Sequence, residues 1–202
     1  QGVSSAASDV YKRQVLRAFP VDEDGSFNMV AFNDMISSRT RIVSIPHVSN
    51  VLGTVFPVAE IAQIAHDANA LLVVDGCQGA IHMPVDVKAL GADFYVFSAH
   101  KLYGPNGVGI LWGKADLLAE MPPFLGGGDM IDRVTIEKST YALPPQRFEA
   151  GTPAIAETVA LGAAVDYVQA IGMEAIRRHE EDVLSYAHQR LSAVDGLSLI
   201  HI

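Results

Sequence analysis

The chain has 202 residues, enough for one domain with a substantial core or for part of a larger protein. Half of its residues are apolar, 18% are charged and the net charge is −9, with scattered acids and no basic patch, so neither nucleic acid nor an anionic membrane is expected as a partner. No apolar run approaches the length of a bilayer-spanning helix, and the single cysteine, Cys77, leaves no disulfide framework or cysteine-based metal cluster within the chain; no metal site is expected, and a reducing cytoplasm is the expected location.

At the extremities, Asp9-Val10-Tyr11-Lys12-Arg13-Gln14 and Leu197-Ser198-Leu199-Ile200-His201-Ile202 can be encoded by one nucleotide string and its reverse complement. That string is similar to a transposon end used to fragment DNA for sequencing. Residues 1–14 and 197–202 are therefore expected to be adapter-derived tails flanking an internal fragment, 15–196, of a longer protein.

Between the tails, Asp22 to Ser26 is an acidic turn and Phe27 to Ser37 a short amphipathic helix. Arg41 to Ile45 predicts a first strand, followed by a polar loop from His47 to Thr54, where binding groups tend to sit; within it, Asn50 is a candidate that serves equally well as a plain turn former. Pro57 opens a helix whose Val58, Ile61, Ala62, Ala65 and Ala68 follow helical spacing. Leu71 to Val74 is a second strand ending at Asp75, and the strand, helix, strand order predicts parallel pairing with right-handed crossovers. Pro84 to Leu90 is expected to form a short helical crossover into Asp93-Phe94-Tyr95-Val96-Phe97, an apolar run that suits a strand buried on both faces.

That run breaks at Ser98-Ala99-His100-Lys101-Leu102-Tyr103-Gly104-Pro105, so Lys101 hangs from the carboxyl edge of the sheet, where open α/β sheets bind ligands. A further strand covers Gly107 to Trp112 and a helix Lys114 to Met121. Pro122 to Pro145 shows little periodicity and is expected to be a long functional or interface loop, closed by Arg147 to Pro153. Ala154 to Ile171 and Gly172 to Val194 are two long helices, the second with a charged, solvated face.

Asp75, Gln78, Ser98, His100 and Lys101 thus gather at the ends of successive strands. Each has an ordinary reading: a helix cap, a surface amide, a core histidine, a solvated lysine. Together they suit pyridoxal phosphate, whose aldehyde condenses with a lysine amine and whose ring is an electron sink when a carboxylate keeps its nitrogen protonated. Gln78 would then donate to the ring oxygen, and Ser98 and His100 to the phosphate.

Three separated stretches, Val74-Asp75-Gly76-Cys77-Gln78, Phe97 to Pro105 and Arg147-Phe148-Glu149-Ala150-Gly151-Thr152-Pro153, resemble motifs of the class V aminotransferase-fold, pyridoxal-phosphate-dependent enzymes. Among these the chain is most similar to SUF-type cysteine desulfurases, which also act as selenocysteine lyases. The resemblance implies an α/β protein of fold type I, a mostly parallel sheet sandwiched by helices, with 15–172 as a partial cofactor-binding large domain and 173–196 leading toward an absent C-terminal small domain. It implies Lys101 as the catalytic Schiff-base lysine, Asp75 at the pyridine nitrogen, Gln78 at the ring oxygen, and Ser98 and His100 at the phosphate. Thr152 would reach the phosphate of a neighbouring subunit in a homodimer, and Asn50 would sit beside cofactor and substrate. The implied reaction converts L-cysteine to L-alanine and passes sulfur, as an enzyme persulfide, to an acceptor protein for iron-sulfur cluster assembly. Selenocysteine lysis, another lyase or aminotransferase of this class, and a non-catalytic scaffold are the alternatives. Family members carry their sulfur-accepting cysteine in the C-terminal domain, so this fragment is expected to be inactive alone, and Cys77 is read as a buried small side chain rather than a nucleophile.

Overall fold

The computed structural model describes residues 14–197; most of both expected tails, 1–13 and 198–202, lies outside the described residues. Four strands form the main sheet: β1 Ile42–Pro46, β2 Leu71–Asp75, β3 Phe94–Ser98 and β4 Gly109–Gly113. Their spatial order follows the chain, with β1, β2 and β3 parallel and β4 antiparallel to β3. The helices are α1 Met29–Met35, α2 Val58–Asp67, α3 Gly79–His82, α4 Ala115–Glu120, α5 Ile155–Ile171 and α6 Met173–Leu191.

The register sets which side chains meet the core. Ile45 pairs with Val74, and Val74 with Tyr95, so these residues with Val43 and Leu72 share one face of the sheet. Onto that face α2 lays Val58, Ile61, Ala62 and Ala65, all buried. Ile61 and Leu72, with no exposed surface, each contribute about 1.5–3 kcal/mol through burial. Phe32 of α1 seals the same core, meeting Phe19 edge-to-face and Phe27 at a tilt. On the other face Ile42 and Leu111 remain exposed, and the second half of β3 is only half-buried, so burial on both faces reaches Phe94 and Tyr95 alone.

A second core lies at the carboxyl edge. Leu161 and Val168 of α5 and Ile176 of α6 close over Ile81, Ala99 and Leu102. The helices meet at 72°, where Gly172 takes a φ of 87°. Among the described residues, no single helix is long and apolar enough to cross a membrane.

Two local expectations are corrected. Pro84 to Leu90 is not helical. The Asp86 carboxylate accepts from the amides of Lys88 and Ala89, making one capped turn that ends at Gly91, while the helix of this crossover is α3, directly after β2. The supposedly irregular 122–145 stretch contains an antiparallel hairpin, β5 Ile131–Val134 and β6 Ser139–Tyr141, with a bulge between Ile131 and Arg133. Because both faces of this hairpin are largely exposed, its sequence has no apolar alternation to betray it.

Candidate active site

Asp75 is the last residue of β2 and Ser98 the last of β3. Because Asp75 pairs with Val96, Asp75 and Ser98 lie on the same face, about 8 Å apart by strand geometry. Cys77 links them: its amide donates to Asp75 Oδ1 at 2.9 Å, and its Sγ lies 3.7 Å from Ser98 Oγ. Cys77 is half-buried rather than buried as expected. After Ser98 the chain makes a single 3₁₀ turn, Ala99–Lys101, in which Leu102 and Gly104 both donate to the Ala99 carbonyl. Ala99 and Leu102 are anchored beneath α5, so the turn presents a half-buried Lys101 and an exposed His100 at the sheet edge. Among the described residues, neither Asp75 nor Lys101 has an ion-pair partner.

The loop bearing Asp75 is shaped from below by a pair that the sequence reading gave no role. Tyr95 and His47 are 2% and 4% exposed, and the Tyr95 hydroxyl lies 3.0 Å from His47 Nδ1. A Cβ on Gly76 would overlap the Tyr95 ring, and one on Gly79 would overlap the His47 ring, so both positions require glycine. Burial holds the His47 pKa below its usual value. Burial first, then the nearby Asp75 and Cys77, pushes the Tyr95 phenol well above its usual range. Tyr95 therefore stays a neutral hydroxyl and His47 a neutral imidazole at pH 7, one donating to the other.

Gln78 and Asn50 line a common cavity of about 670 Å³ between the loop after β1 and α6. Gln78 Oε1 is engaged by His82 Nε2 at 3.2 Å, and His82 Nδ1 sits 3.0 Å from both carboxylate oxygens of Glu180 on α6. His82 and Glu180 also escaped the sequence reading; the i, i+4 spacing of Gln78 and His82 was an available signal, the distant Glu180 was not. Thr152 is exposed on the loop before α5, with no hydrogen bond to the strand-end groups among the described residues. Its stretch is clamped by Arg147, whose guanidinium donates to the carbonyls of Ala119, Met121 and Ala142, satisfying the end of α4.

An amine, a carboxylate, an amide, a hydroxyl and an imidazole thus lie at the carboxyl edge of the sheet; Gln78 and Asn50 line one cavity, whose walls do not include Asp75, Ser98, His100 or Lys101. This donor set fits an anionic nitrogen heterocycle carrying an aldehyde and a phosphate: an acid for the ring nitrogen, neutral and cationic donors for the anion, an amine for the carbonyl.

The family profile for aminotransferase class-V matches residues 3–202. The chain belongs to that family. A probable cysteine desulfurase of Halobacterium salinarum is 52% identical over 184 residues, covering 91% of this chain and 44% of that protein. The apo structure of a cysteine desulfurase from Thermococcus onnurineus superposes with a TM-score of 0.83 at 36% identity, over 87% of this chain and 44% of the other. A C-DES variant with glycine covalently linked to its pyridoxal phosphate cofactor aligns at a TM-score of 0.74 and 28% identity, over 82% and 45% of the two chains. This class V chain therefore spans somewhat under half the length of such relatives, and its described sheet is the mostly parallel α/β arrangement that the motifs implied.

Proposed function

We propose that the protein to which this chain belongs is a pyridoxal-phosphate-dependent cysteine desulfurase, converting L-cysteine to L-alanine and passing the sulfur to an acceptor for iron-sulfur cluster assembly. The observation that carries the proposal is that Asp75 ends β2 and Lys101 follows the end of the adjacent parallel β3, both without ion-pair partners among the described residues. The names of the relatives at about half identity support it.

When bound, pyridoxal phosphate supplies an aldehyde for covalent capture of an amino acid and an electron sink for the electron pair freed at Cα. In this reading Lys101 anchors the cofactor and then takes and returns the proton at Cα. Asp75 holds a proton on the ring nitrogen, since an adjacent carboxylate favours the charged pyridinium. Gln78 donates an amide hydrogen to the ring oxygen. Ser98 and His100 hold the phosphate, together with Thr152 from the second subunit of a homodimer; the exposure of Thr152 suits that role. Asn50 faces the substrate from the loop after β1. Cys77 is read as a small side chain of the Asp75 turn rather than as the persulfide carrier; its amide donates to Asp75 Oδ1 and its Sγ lies 3.7 Å from Ser98 Oγ. A cytoplasmic location completes the reading, and cell fractionation tests it.

The deciding experiment is borohydride reduction of the full-length, cofactor-loaded protein, then peptide mass mapping. Label at Lys101, with alanine and sulfide released from cysteine plus reductant, is expected. Label on another lysine would overturn the site, and absence of alanine the reaction.

A further inference from the structure

We infer that His82, held by Glu180 of α6, is a positioning residue that sets which end of the Gln78 amide faces the cofactor. The inference rests on the reading above and adds to it a control over that site.

His82 closes α3 one helical turn beyond Gln78, so the two side chains share a face. Its Nε2 meets Gln78 Oε1 at 3.2 Å and its Nδ1 meets Glu180 Oε1 and Oε2 at 3.0 Å. A carboxylate only accepts, and so does an amide oxygen. When both ring nitrogens carry hydrogens, Nδ1 donates to Glu180 and Nε2 to the Gln78 oxygen. The Gln78 oxygen is then occupied, and its NH₂ is the end left to donate. Loss of one proton from His82 reverses this. Glu180 retains the Nδ1 hydrogen, Nε2 becomes an acceptor, and the Gln78 amide must rotate to offer its NH₂ backward. Its oxygen would then face the ring oxygen of the cofactor, acceptor against acceptor.

The charged and titratable neighbours are few. From α6, Arg177, His179, Glu180 and Glu181 line the same cavity, with Arg177 paired to Glu174 and Glu181. From the loop after β1 come Ser49 and Asn50, which do not titrate near neutral pH. Glu180 is thus the carboxylate bonded to the ring, and His82 is 43% exposed, open to exchange of its proton.

The test uses full-length protein in two measurements. Equilibrium dialysis against pyridoxal phosphate should show His82→Ala and Gln78→Ala each weakening affinity about tenfold. The double variant should bind no more weakly than Gln78→Ala, and His82→Gln, which keeps a neutral donor, should recover affinity. Losses that multiply in the double variant would overturn the inference. In the cofactor-free protein, ¹⁵N shifts of the His82 ring should report protons on both nitrogens at the pH of tightest binding. Glu180→Gln should change those ring ¹⁵N shifts, because it removes the carboxylate bonded to Nδ1; unchanged shifts would overturn it even if the alanine variant fails to fold. Failure of the cofactor reading looks different: Lys101→Ala and Gln78→Ala would leave affinity untouched while the His82 ring shifts still responded to Glu180→Gln.

Discussion

Two aspartates stand at opposite edges of the same mostly parallel sheet and live in opposite conditions. Asp93, just before β3, is 2% exposed, and its carboxylate accepts from the Leu72 amide at 2.7 Å, His66 Nε2 at 2.9 Å and Lys114 Nζ at 2.6 Å. Asp75, at the far end of β2, is exposed and accepts from one amide. Burial alone would push Asp93 up, but the bonds from Lys114, Leu72 and His66 outweigh it and hold the carboxyl below its usual value. A saturated carboxylate ties β2, β3, α2 and the start of α4 into one unit, whereas a carboxylate with spare lone pairs is available to something else. The amino edge is built to hold the sheet together and the carboxyl edge to hold a ligand.

The sharpest way to break that contrast is Lys101→Ala in the full-length protein. Turnover of cysteine is expected to fall by about 10²–10⁴-fold, with the thermal midpoint unchanged. Retained turnover would make the carboxyl edge as structural as the other. Asp93→Ala is the mirror experiment: it strands Lys114, His66 and the Leu72 amide, and urea unfolding should show a loss of about 3 kcal/mol while cofactor affinity per folded molecule is kept. Gly76→Ala drives a methyl into the Tyr95 ring beneath the Asp75 loop, so stability should drop by about 1–3 kcal/mol and cofactor affinity with it.

Acid separates the edges next. Asp93 has a depressed folded-state pKa, so its contribution is complete above the ordinary value of 3.8 and is lost as pH falls through the lower folded value. His47, also depressed, contributes above 6.5 and loses that contribution as pH falls below it, because the unfolded chain then binds the extra proton. Stability followed by urea midpoints should therefore decline first below pH 6.5 and again below pH 4; Tyr95→Phe, which removes the His47 partner, should alter the first step only. The smallest effect is Asp75→Asn, expected within about 0.5 kcal/mol in stability yet weaker in cofactor binding. A large stability loss there would erase the difference between the two aspartates.

The carboxyl edge was legible in the sequence because polar residues directly after apolar runs have one place to go. Leu71 to Val74 before Asp75, and Phe94 to Phe97 before Ser98, announced both strands and the side on which their ends lie. The amino edge was not legible: Asp93 read as the first residue of a strand, and nothing local marks His66 and Lys114 as its partners. The same holds for His82 and Glu180, joined across 98 positions by a helix packing that no local pattern encodes. Arg147 opens the Arg147 to Pro153 motif, yet its work as a clamp on α4 needed the fold. The hairpin from Ile131 to Tyr141 stayed hidden because exposed short strands leave no periodicity.

Gly172 gives the join between α5 and α6 a mechanical meaning. Glu180 lies eight residues along α6 from that joint, about 12 Å at helical rise. Tilting α6 by about ten degrees around Gly172 would swing Glu180 through about 2 Å, enough to part a 3.0 Å bond to His82. In such a tilt α6 would act as a lever, carrying a displacement near Leu191 to Glu180, His82 and Gln78.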